Sequence, residues 1–198
     1  MTILLFVGFV SGQSPKKRWI DVSKEYKNEL TDRLCPEVDT NTTKVVVLFI
    51  AKPAFADPEC SIRIIDKGNE SFIEARILEK NLWEEQFKQK MQADSLSVET
   101  SFYSVPVSRS FRNKMLAAFT TVIELHANRI KPSGIQLYDG ICYEFMVNNN
   151  ENKLFAKIDY DLKYNDFRDQ VASTNLRIID VMRRHSFNES VYQVYNDK

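Results

Sequence analysis

The chain has 198 residues and a formal net charge of zero, from 27 basic and 27 acidic side chains. That length supports one domain of ordinary size with a real core and is short for two. Without a basic excess there is no electrostatic footprint for phosphate-backbone recognition, so nucleic-acid binding is set aside, and 43% hydrophobic with 27% charged residues is the balance of a globular chain.

The first twelve residues, MTILLFVGFVSG, form an apolar run that ends in small residues. Val10 and Gly12 suit the −3 and −1 positions of a signal-peptidase site, and QSPKKR follows as an abrupt polar break. The run is too short to span a bilayer. Residues 1–12 therefore read as a signal-peptide remnant before a single domain at 13–198, with a buried strand as the alternative. The lack of a basic stretch ahead of the run weighs on the side of the strand. The expectation is an exported protein, periplasmic or associated with the outer envelope.

WIDVSKEYKNELTDRL has helical character with a weak apolar stripe. TKVVVLFIA is a continuous β-branched run and predicts a buried strand. SIRIID and SFIEARILE predict a strand pair, with Gly68-Asn69 supplying the turn. Their alternation puts Ile73, Ala75 and Ile77 on one face and sets Arg63 to meet Glu74 across the strands. NLWEEQFKQKM predicts a short helix. SLSVETSFYSVPVS predicts a strand whose Pro106 cannot donate to a ladder, so that it belongs at an edge or a strand exit.

Ser108 or Ser110 is placed to cap the longest helix, FRNKMLAAFTTVIELHANRI, in which Phe111, Met115, Phe119, Val122 and Ile123 recur at helical spacing. KPSG is expected to end it. Asp139-Gly140 carries hairpin turn chemistry, so LYDGICYEFMV reads as a reversal between strands. Past that turn Ile141, Tyr143, Phe145 and Val147 share a face opposite Cys142, Glu144 and Met146. KLFAKIDYDL would complete a three-strand meander, and DFRDQVASTNLRIIDVMRR predicts a final helix with Phe167, Val171, Thr174, Ile178 and Met182 on its inner stripe. The sum is an α+β fold, one mostly antiparallel sheet packed by three to four helices.

Chemistry-bearing patterns are sparse. The two histidines, His126 and His185, fall at helix C-terminal ends, where the dipole favours a cation. No G-x-S-x-G, H-E-x-x-H, paired C-x-x-C or glycine-rich phosphate loop occurs. No catalytic, cofactor-binding or metal-binding residue is therefore assigned, and no cofactor is expected. Asp159, Asp161, Asp166 and Asp169 gather at a strand-to-helix junction, and helix capping accounts for them better than calcium. Glu74 and Glu144 lie on strands where glycosidase carboxylates often stand; cross-strand ion pairs are the simpler reading.

Of three cysteines, Cys35 and Cys60 lie in proline-containing loops and are the preferred disulfide pair in an oxidising compartment, with three buried thiols as the alternative. Candidate interface aromatics are Trp83, Phe102, Tyr103, Tyr192 and Tyr195, and core packing is the competing role for the first three.

The stretch FIEARILEKNLW (Phe72 to Trp83), the segment SVPVS before the long helix and DGICY (Asp139 to Tyr143) resemble the small exported proteins of unknown function of Bacteroides-type bacteria. That resemblance implies an envelope location and carries over no activity. The resulting expectation is an exported, non-catalytic protein-binding module without a transmembrane segment. The alternative is a carboxylate-based hydrolase acting on glycan or cell-wall material.

Overall fold

A computed structural model of the chain describes residues 15–53, 57–86, 98–128, 141–149, 152–160 and 166–189. In chain order the elements are α1 (Pro15–Leu34), β1 (Thr43–Lys52), β2 (Cys60–Lys67), β3 (Glu70–Leu78), a helix α2 described at 82–86, β4 (Thr100–Val107), α3 (Arg109–Ala127), β5 (Ile141–Asn149), β6 (Asn152–Tyr160) and α4 (Phe167–Arg183). The six strands form one sheet in the order β4-β3-β2-β1-β5-β6, and every pairing is antiparallel. This is the α+β class with a single sheet that the element pattern predicts.

The β-branched run of β1 occupies the middle of the sheet, as a strand buried on both faces requires. Period-two alternation then sorts side chains between two layers. Val47, Phe49 and Ala51 of β1, Ile62 and Ile64 of β2, Ile73 and Ala75 of β3 and Phe145 and Val147 of β5 point to a face covered by α3 and α4. Phe49, Phe145 and Phe119 form its centre, with ring centroids 5.1 to 5.3 Å apart. All five stripe residues expected of α3 are buried there, and Ser108 caps the helix by accepting from the Phe111 amide at 3.1 Å. The opposite face carries a smaller cluster, in which Leu30 and Leu34 of α1 pack with Ile50, Leu78, Leu82 and Val98.

Local turn chemistry explains the β2–β3 connection. Gly68 adopts φ +60° while Asn69 stays out of the left-handed region, the pattern of a II′ hairpin with glycine in its first central position. Pro106 lies on β4, an edge strand, as its missing donor demands.

Three expectations change. The structure gives β5 the expected neighbour β6 on one side but β1 on the other, both pairing with it through residues 142–147. A strand ahead of residue 139 is therefore not its partner, and Asp139-Gly140 itself lies outside the described residues. Next, α3 ends at Ala127 with Asn128 as cap, ahead of the KPSG segment, which is also undescribed. Finally, His185 stands past the end of α4. Its φ of +53°, with His185 N–H donating to the Met182 carbonyl (3.0 Å) and Ser186 N–H to that of Val181 (3.1 Å), makes a Schellman cap.

Candidate functional site

The α1 side of the sheet carries most of the ionic chemistry among the described residues. Toward β2 and β3, the C-terminal half of α1 and the residues after it cover the strands. Ser61 donates its hydroxyl to the Leu34 carbonyl (2.8 Å), and Arg63 reaches the Pro36 carbonyl (3.0 Å). Beneath them Arg63 donates to the Glu74 carboxylate at 2.8 Å, with side chains only 7% and 4% exposed, and Lys67 approaches Glu74 at 3.6 Å. Such a pair has lost its hydration and depends on its geometry. The cross-strand meeting of residues 63 and 74 follows directly from the β2–β3 register.

Toward β5 and β6 a groove opens among the described residues. Leu48 and Ile50 of β1, Glu144 and Met146 of β5, and Lys153 and Phe155 of β6 line a groove of about 340 Å³. Its floor is apolar and its rim charged. Lys52 holds Glu144 at 2.5 Å along one side, while Lys153 and Lys157 are exposed on β6. Among the described residues Phe155, 57% exposed, is the large hydrophobic residue most open to solvent. A polar hollow of about 430 Å³ lies at the far end of the molecule, beside the β2–β3 turn. There Arg112 binds Asp66 at 2.8 Å, and Ser71 donates to the same carboxylate at 2.7 Å.

Buried ionisable groups elsewhere are structural. Glu59 is wholly buried and accepts from the Leu82 amide (2.7 Å), the Trp83 amide (3.4 Å) and the Tyr26 hydroxyl (3.0 Å), so it caps α2 and ties α1 to it. Burial raises its carboxyl above the usual range although these donors pull the other way. Burial also pushes Cys35 up to about 11, Cys60 to about 12 and Tyr143 to about 12.

Cys35 and Cys60 are both free thiols, so the expected bond between them is not present. The sheet itself separates them: Cys60 belongs to the α3/α4 core and Cys35 packs against the α1 cluster. Cys142 and Tyr143 likewise fall on opposite faces of β5. Glu74 and Glu144 do not face one another. Two strands lie between theirs, so at about 4.8 Å per spacing they are roughly 14 Å or more apart, beyond the reach of a glycosidase pair.

Asp166 caps α4 by accepting from the Arg168 amide (2.9 Å), and Asp169 occupies the first turn. Among the described residues no group of three or more His, Cys, Asp or Glu side chains could hold a metal ion. No helix there is long and apolar enough to cross a membrane.

The candidate interface aromatics are dispersed. Phe102 is 48% exposed on β4, with the Arg76 guanidinium carbon 4.4 Å from its ring centroid. Trp83 is half-buried and meets Tyr26 edge-on at 5.3 Å. Tyr103 is half-buried on the other face, 5.7 Å from the His185 ring. Tyr192 and Tyr195 lie outside the described residues. Sequence reasoning missed the groove residues Leu48, Met146 and Phe155. Their alternation was visible, but not which strands would become neighbours. No family model, curated protein or solved structure matches the chain.

Proposed function

We propose that this is an exported protein of the bacterial envelope that binds another protein through the β1–β5–β6 groove and performs no bond-making chemistry of its own. The observation that carries the reading is the groove floored by Leu48, Ile50, Met146 and Phe155, of which Phe155 is 57% exposed. Aromatic and methionine side chains inside a charged rim are the composition of a protein-recognition surface. With Lys153 exposed on that rim, the fitting partner offers an apolar segment flanked by a carboxylate. Support for export comes from the apolar leader and the polar break after residue 12.

Two measurements test the two halves. Cell fractionation with intact mass should find the protein in the envelope, shortened by its leader; a full-length cytosolic protein would contradict export. A partner co-purifying with the tagged protein should be lost with Phe155→Glu and kept with Leu125→Glu, which alters an exposed leucine on α3 instead. Retention with both variants would contradict the groove.

A further inference from the structure

The two edges of the sheet differ. β4 carries Pro106, and the chain after α4 passes close by, where Glu189 binds the Ser108 hydroxyl at 2.6 Å. That edge is blunted in the usual way. β6 has neither proline nor bulge: its nine residues pair with β5 in unbroken register from Asn152 to Tyr160. Among the described residues it has a strand neighbour on one side only.

An antiparallel pairing of β6 with its own copy requires a two-fold axis normal to the sheet, so residues of the same face must meet. Few registers satisfy this; strand overlap favours an axis at Ala156, the middle of Asn152–Tyr160, and charge weighs against its same-face rivals. An axis at Phe155 sets Lys153 against Lys157 of the copy, and an axis at Lys157 sets that lysine against itself. Like charges directly opposite are destabilising.

With the axis at Ala156, Lys153 meets Asp159, Phe155 meets Lys157, and Leu154 meets Ile158, each pair occurring twice. Phe155 of each copy then lies diagonally from the other, within reach for an aromatic side chain. The apolar floor of one groove thereby continues into that of the next.

We propose that the chain forms a symmetric dimer by pairing β6 with β6 about Ala156, joining two six-stranded sheets into one. The edge backbone supplies the hydrogen bonds, and the self-complementary order of Lys153, Phe155, Lys157 and Asp159 sets the register. The dimer does not depend on the groove holding a partner.

Analytical ultracentrifugation of the full chain over a wide concentration range tests it. The expected result is a reversible dimer. Lys153→Asp alone and Asp159→Lys alone should each weaken it about tenfold, and the two together should restore it. Hydrogen exchange on the unaltered protein gives a second reading that needs no variant: amides of 152–160 should gain protection as concentration rises. A monomer throughout, with the two lysines guarding the edge, would overturn the proposal. So would a dimer indifferent to both reversals, or one that leaves the β6 amides unprotected.

Discussion

Glu59 shows how much one buried carboxylate can organise. It accepts from two α2 amides and from Tyr26, so truncation leaves three donors without their acceptor, the Leu82 amide among them fully buried. Glu59→Ala should cost about 2–3 kcal/mol in urea titration. Its pH behaviour has a definite sign. Because burial raises the folded value above the ordinary 4.5, ionising the group opposes folding as pH climbs through the window above 4.5, and the effect vanishes below it. The advantage of the native protein over Glu59→Gln should therefore shrink as pH rises from 4.5 toward neutrality. A difference that stays flat would contradict this role. Nothing near Glu59 in the chain announced it, since its partners are 23, 24 and 33 residues away.

At the scale of elements, helices and local turns were legible and long-range pairings were not. The α3 stripe, the Ser108 cap, the Asp166 cap and the Gly68 turn each depend on residues within a few positions. The β1–β5 pairing joins segments about a hundred positions apart and leaves no periodic trace in either. Local turn chemistry at Asp139-Gly140 therefore suggested the wrong neighbour for β5.

The Arg63–Glu74 contact was readable because a tight hairpin fixes its register. Arg63→Met should cost about 3–5 kcal/mol by leaving Glu74 charged and nearly dry. Arg63→Met with Glu74→Leu should recover most of that loss. Equal destabilisation in the single and double variants would show that the pair itself is not the source.

For the molecule as a whole, the asymmetry between the two faces of the sheet is the organising fact. One face is closed by α3 and α4; among the described residues the other packs against α1 around Ile50, and the groove adjoins that cluster. Its lining comes from three strands, two of them far along the chain from β1, so composition could hint at an aromatic interface without saying where it forms. The most direct measurement is photo-crosslinking in cells, with benzoylphenylalanine placed at position 155 and, as a control, at 125 on α3. A discrete adduct with a second protein from position 155 and none from 125 is the predicted result, and an adduct of doubled chain mass would separately report self-pairing. No adduct from 155 to any other protein, or the same adducts from both positions, would contradict the groove as the binding surface.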